Sequence, residues 1–172
     1  QLANYISAVV NGGTLYQPTL VRSIKSYDFS SVVKNETPSA KEKIELSAET
    51  RRLVMQGMSE VTDEGGTAGS VFADYPIKVG GKTGTTTNNC DRWFVGFTPY
   101  YVGAVWTGYD MPEYMNFSGN PAAQIWKLVM EPIHKDLPTK SFPTPNVGTP
   151  TGIFGNFSGQ SQDTGGDADD AG

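Results

Sequence analysis

Leu2, Ile6, Val9 and Val10 recur at helical spacing from the second residue of the chain, so the pattern predicts a helix over Gln1–Val10. Leu15 to Tyr27 is rich in β-formers and predicts one or two short strands, whereas Ser30 to Lys43 reads as a polar, irregular connection. Ser47 is placed to cap a second helix whose Leu53, Met58 and Val61 share a face. That helix should stop at Asp63-Glu64-Gly65-Gly66, with Thr67-Ala68-Gly69 following as a flexible loop. Ile77 and Val79 alternate into Gly80-Gly81 and predict a strand that carries Lys82. Trp93–Thr98 and Tyr101–Tyr109 read as a hairpin turning at Pro99-Tyr100, making three antiparallel neighbours with the Lys82 strand. A closing helix is expected from Pro121 to about His134, with Ile125, Leu128 and Val129 toward the core and Pro132 kinking or ending it.

After Leu137 the character changes. Pro138, Pro143, Pro145 and Pro150, with many Gly, Ser and Asn, make residues 138–172 a Pro/Gly-rich linker and tail that cannot bury much apolar surface. Phe142, Ile153, Phe154 and Phe157 could dock locally, and disorder is expected from Ser158 onward. Residues 1–137 form the folded part, and 37% apolar residues in a chain of 172 suffice for one modest core. The net charge is −5, but Asp163, Asp167, Asp169 and Asp170 supply four of those charges, so the body is near neutral. No basic patch with interleaved aromatics points to nucleic acid. There is no run of eighteen apolar residues and no basic-then-apolar leader. Cys90 is the only cysteine, which rules out an internal disulfide and leaves the compartment unread.

The chemistry concentrates in Ile77-Lys78-Val79-Gly80-Gly81-Lys82-Thr83-Gly84-Thr85-Thr86. Gly80, Gly81 and Gly84 leave the backbone almost without side-chain cover, so an extended peptide could pair with this strand edge to edge. Lys82 adds a positive charge. Thr83 and Thr85 add hydroxyls that donate and accept, a set suited to a peptide carboxylate. The Thr85 N–H, turned into a cleft, could hold the anion of a tetrahedral intermediate. The bland alternative is that Lys-Thr-Gly is a short pattern that arises by chance.

The context makes the pattern specific. Lys82-Thr83-Gly84-Thr85-Thr86, a polar loop, Asp91-Arg92-Trp93-Phe94-Val95-Gly96-Phe97-Thr98-Pro99 and Val105-Trp106-Thr107-Gly108-Tyr109-Asp110 resemble the C-terminal half of the transpeptidase domain of class A penicillin-binding proteins. Gln1–Tyr5 through Asn11-Gly12-Gly13-Thr14-Leu15-Tyr16-Gln17-Pro18 is similar to the helix and turn between that family's second and third motifs. The resemblance spans roughly residues 1 to 137. It implies an α+β fold of the penicillin-binding and serine β-lactamase type, an antiparallel sheet flanked by helices. It also implies that Lys82 sets the electrostatics of the site and that Thr83, Gly84, Thr85 and Thr86 bind substrate. The Thr85 amide would be half of the oxyanion hole.

The nucleophile is expected outside these residues, on an upstream segment carrying Ser-x-x-Lys and Ser-x-Asn, cut away or present as another chain. A first helix with no capping residue and no start Met agrees with that expectation. Two segments match the absent motifs as text. Ser31-Val32-Val33-Lys34 lies in a β-branched stretch, where a spacing of three does not bring serine and lysine together. Ser118-Gly119-Asn120 reads instead as a helix start, with Asn120 as N-cap and Pro121 in the first turn. Glu60, Asp63 and Glu64 read as a solvated helix end, His134 as a residue favouring a helix dipole, and Asp91-Arg92 as a pair at a loop tip. No cluster at ligand spacing supports a metal, and no cofactor is implied.

The function expected is a fragment of a D,D-transpeptidase that cross-links peptidoglycan stem peptides through an acyl-serine intermediate and binds β-lactams. It would sit at the extracytoplasmic face of the bacterial membrane, anchored by a segment not in this chain. A non-catalytic module that binds peptidoglycan or peptide is the alternative from another class, and a serine β-lactamase is a third.

Overall fold

The computed structural model describes residues 1–142. Most of the linker and the acidic tail, including Ile153, Phe154 and Phe157, lie outside the described residues. In chain order the elements are α1 (Leu2–Val10), β1 (Thr14–Tyr16), β2 (Ser23–Lys25), β3 (Val32–Asn35), β4 (Ala40–Lys43), α2 (Ala48–Glu60), α3 (Gly69–Phe72), β5 (Gly80–Thr85), β6 (Asp91–Phe97), β7 (Val102–Gly108) and α4 (Pro121–His134).

The centre of the molecule is an antiparallel sheet in the order β5-β6-β7. Strand β6 alternates between two cores, as a strand of period two must. Val95 and Phe97 point toward α1 and α2, where Ile6, Met55 and Met58 close over them. Phe94 points the other way, into Phe72, Val79, Ala122, Ala123, Trp126 and Met130 from α3, α4 and the segment before β5. Both faces of β6 are therefore covered by helices. Gly96 and Gly103 stand opposite each other in register and make the hollow for Trp126. A Cβ on Gly96 would lie 2.9 Å from the Trp126 ring and one on Gly103 2.7 Å from Trp126 Nε1. That indole N–H donates to the Gly103 carbonyl at 3.1 Å.

Helix ends follow the sequence signals. Ser47 accepts from the Thr50 N–H at 3.0 Å, and Asn120 accepts from the Ala123 N–H at 3.2 Å. After α1, Asn11 and Thr14 exchange two hydrogen bonds of 2.8 Å across Gly12 and Gly13, both at positive φ. A Cβ on Gly13 would fall 2.0 Å from the Ile44 carbonyl oxygen, so the turn accepts only glycine there.

Several expectations are corrected. Residues 30–43 are not irregular: β3 and β4 run back along β2 and β1 as two nested antiparallel pairs. All eight residues of these two strands are exposed, so no apolar alternation announces them. The core face of α4 is Ala122, Ala123, Trp126, Met130 and His134, whereas Ile125, Leu128 and Val129 are exposed. The helix is apolar on both sides, and the glycine hollow in the sheet selects the side that carries Trp126. Pro132 sits inside α4 without ending it. On α2 the buried residues are Met55 and Met58, with Leu53 turned outward. Ile77 and Val79 are buried but precede β5 rather than forming part of it. Thr67-Ala68-Gly69 is a packed turn leading into α3, with Ala68 and Gly69 buried. Beyond the last helix, the Phe142 ring packs 5.1 Å from that of Phe97, as a local docking contact should.

Candidate active site

Strand β5 pairs with β6 along one edge, in register from Gly80↔Phe97 to Thr85↔Arg92. Its other edge has no strand partner among the described residues. Alternation puts Lys82 and Gly84 on the face toward α1 and α2, and Thr83 and Thr85 on the face toward α3 and α4. Three of the six strand residues are glycine, and β6 side chains stand against all three: a Cβ on Gly80 would lie 2.4 Å from the Phe97 ring. A Cβ on Gly81 would lie 2.6 Å from the Phe94 ring, and one on Gly84 3.1 Å from Trp93 Cβ. The result is a smooth edge strand with a cation and hydroxyls at its exposed end.

Lys82 is exposed, and its ammonium donates to the carbonyl of Thr83 at 2.6 Å. None of the ion pairs among the described residues involves it. The charge is thus available to an incoming anion. The hydroxyls of Thr83 and Thr67 lie 2.9 Å apart, so a side chain from the turn before α3 reaches the same edge. Thr85 is exposed.

Thr86 is engaged with the turn to β6. Its hydroxyl donates to Asp91 Oδ2 at 2.7 Å and accepts from the Asp91 N–H at 2.9 Å. The Trp106 indole donates to Asp91 Oδ1 at 2.8 Å. The hydrogen bond from Thr86, then that from Trp106, hold the Asp91 carboxyl below the ordinary aspartate value. This clasp fastens the turn, in which Asn88 and Asn89 both adopt positive φ. Asp91 and Arg92 do not pair with each other as expected. Neighbours on a strand face opposite sides, and buried Arg92 instead donates to Asn89 Oδ1 at 3.0 Å. Cys90 is half-buried beside this turn as a free thiol.

Other candidates fall away from the edge. Ser31 and Lys34 sit in and beside exposed strand β3, where Lys34 pairs with Glu36. Asn120 caps α4 as described, which accounts for Ser118-Gly119-Asn120. His134 is 4% exposed and belongs to the core. Its Nδ1 donates to the Met130 carbonyl at 2.7 Å, and Thr98 Oγ1, which accepts from the N–H groups of Tyr100 and Tyr101, lies 2.8 Å from Nε2. Asp63 forms an ion pair with Lys78. An open cleft of about 670 Å³ lies between the end of α2, α3 and Ile77–Val79, but none of Lys82–Thr86 lines it. Sequence reasoning missed Thr67, although a lone hydroxyl bracketed by Gly65, Gly66 and Gly69 was the available signal.

Residues 1–131 match the family model described as the penicillin binding protein transpeptidase domain. The chain belongs to that family. Penicillin-binding protein 1A of Clostridium acetobutylicum is 30% identical over 143 residues, covering 83% of this chain. Its counterpart in Clostridium perfringens is 31% identical over 146 residues, covering 84%. The chain spans 17% of the length of each of these two relatives. Penicillin-binding protein 1A from Haemophilus influenzae superposes with a TM-score of 0.68 at 20% identity, over 84% of this chain and 27% of that one. The D,D-transpeptidase domain of a peptidoglycan glycosyltransferase from Eggerthella lenta gives 0.61 at 25% identity, over 78% of this chain and 31% of its own. The α+β arrangement, an antiparallel sheet flanked by helices, is thus the fold of penicillin-binding transpeptidase domains. No helix among the described residues is long and apolar enough to cross a membrane.

Proposed function

We propose that this chain forms one wall of the acyl-transfer cleft of a D,D-transpeptidase that cross-links peptidoglycan stem peptides and is acylated by β-lactams. The observation that carries the reading is the edge of β5 left open among the described residues, with exposed Lys82 and Thr85 and half-buried Thr83 on a glycine-smoothed strand. An extended stem peptide adds to that edge through its main chain. Lys82, Thr83 and Thr85 then receive its terminal carboxylate through charge-assisted hydrogen bonds.

The nucleophilic serine and its lysine lie in sequence outside this chain, as do the Ser-x-Asn residues. The serine Oγ attacks the carbonyl of the penultimate residue, in the last peptide bond, and the Thr85 N–H with the nucleophile's own N–H stabilises the oxyanion. The C–N bond breaks, the terminal residue leaves as an amine, and the acyl-serine passes to an amine of a second stem peptide. A β-lactam enters the same path, but its amine stays tethered after ring opening. The parent protein acts at the extracytoplasmic face of the membrane, anchored by a segment outside this chain. Without the nucleophile the chain alone is inactive.

Incubation with a fluorescent penicillin, read on a denaturing gel and by intact mass, tests this. The expected result is no label on the isolated 18.5 kDa chain and one acyl adduct on the full-length parent, at a serine outside these residues. Label on a serine of this chain would overturn the placement of the nucleophile. An inert parent protein would leave a peptide-binding module.

A further inference from the structure

Thr67 lies in a turn built with unusual care for an exposed residue. Gly65 has φ +80°, a Cβ on Gly66 would fall 2.3 Å from the Glu60 carbonyl oxygen, and one on Gly69 would fall 2.2 Å from that of Asp63. Each glycine is therefore demanded by backbone conformation or by close approach. The turn is also tied to the segment that becomes β5. Asp63 pairs with Lys78, the Thr62 hydroxyl donates to the Val79 carbonyl at 2.7 Å, and Thr67 Oγ1 lies 2.9 Å from Thr83 Oγ1. The Ala68 N–H, donating to the Val61 carbonyl at 2.9 Å, closes it internally. The first two ties fix where the turn lies, and the third places one hydroxyl on the proposed substrate edge.

We infer that Thr67 is a positioning residue for substrate binding, orienting the Thr83 hydroxyl toward the carboxylate of the stem peptide or β-lactam. This rests on the reading of β5 as the substrate edge. Proton count sets the direction of these hydrogen bonds. A threonine hydroxyl has a single hydrogen, and a carboxylate only accepts. When Thr83 donates to the carboxylate, Thr67 must be the donor to Thr83, giving a chain Thr67→Thr83→carboxylate in which each hydrogen bond polarises the next. Without the Thr67 hydroxyl, the Thr83 hydroxyl is free to rotate, and part of its time is spent pointing away from the ligand. One such hydrogen bond is worth about 1 kcal/mol, so the loss in acylation efficiency is about fivefold.

The experiment compares wild type, Thr67→Val and Thr67→Ser in the full-length protein. It measures second-order acylation by a fluorescent penicillin as the free acid and as its neutral methyl ester, together with thermal unfolding. Thr67→Val should slow the acid about fivefold and leave the ester within twofold, with an unchanged melting temperature, and Thr67→Ser should restore the acid rate. Equal slowing of acid and ester, an unaffected Thr67→Val, or failure of serine to rescue would overturn the role of Thr67 while leaving the transpeptidase reading intact. A wild-type protein that takes no label would overturn both.

Discussion

Asp91 shows how a single carboxylate can hold the turn beside the proposed substrate strand. Its side chain takes hydrogen bonds from Thr86 and Trp106, and its ionised form is the one they favour. Because the folded-state value is depressed, the stabilisation is fully present above the ordinary aspartate range and is lost as pH falls through the lower folded value. The indole N–H resonance of Trp106 should therefore stay constant from neutral pH down through the ordinary aspartate range and move only below it. In Asp91→Asn that acid transition should vanish; a transition that persists would assign it to another group. The glycines give a second contrast at this scale. Gly81→Ala forces a methyl 2.6 Å from the Phe94 ring and should cost about 1–3 kcal/mol in denaturant unfolding. Gly57 on α2 has nothing within 4 Å of its missing Cβ, so Gly57→Ala should instead stabilise by about 0.5–1 kcal/mol. Equal effects at the two sites would show that the Phe94 contact does not limit Gly81.

Helix α4 separates what a sequence declares from what only packing decides. Its start was legible because Asn120 and Pro121 are local signals that act on the backbone beside them. Its inner face was not, because Ala122, Trp126 and Met130 and the opposite Ile125, Leu128 and Val129 satisfy the same periodicity. The choice depends on Gly96 and Gly103, which come together only when β6 and β7 pair. Truncation tests that assignment: Trp126→Ala should destabilise by about 3–5 kcal/mol, while Leu128→Ala on the exposed face should change stability by less than about 1 kcal/mol. A reversed order would put the other face against the sheet. The same division runs through the rest of the chain. The β5-β6-β7 order and a strand carrying Lys82 were readable from pattern and glycine placement, although the Ile77, Val79 alternation set the start of that strand too early. Strands β3 and β4 were not, since their residues are exposed and their pairing is held by backbone hydrogen bonds that leave no apolar signature. Thr67 escaped notice for a related reason: glycines read as freedom in a sequence, yet Gly66 and Gly69 here mark close packing.

At the level of the whole molecule, the described residues leave more apolar surface uncovered than a single helix face explains. Ile125, Leu128, Val129 and Ile133 line one side of α4, and Leu53 and Val54 are exposed on α2. Among the described residues, strands β5 and β7 each present an unpaired edge, and exposed Trp106 and Tyr109 lie on or next to β7. Contiguous apolar patches and open strand edges both favour association with other surfaces. Soluble domains cover such features, and the chain spans only 17% of the length of its clostridial relatives. The prediction is that the isolated chain does not persist as a monomer. Sedimentation velocity across a range of concentrations should show species heavier than 18.5 kDa whose proportion grows with concentration. The double variant Leu128→Glu, Val129→Lys places charges on the α4 patch without touching the Trp126 side, so it should shift the distribution back toward monomer. If the unmodified chain instead sediments as a monomer and melts in one cooperative transition, the exposed α4 face and the two strand edges are tolerated in water and residues 1–142 hold their fold unaided.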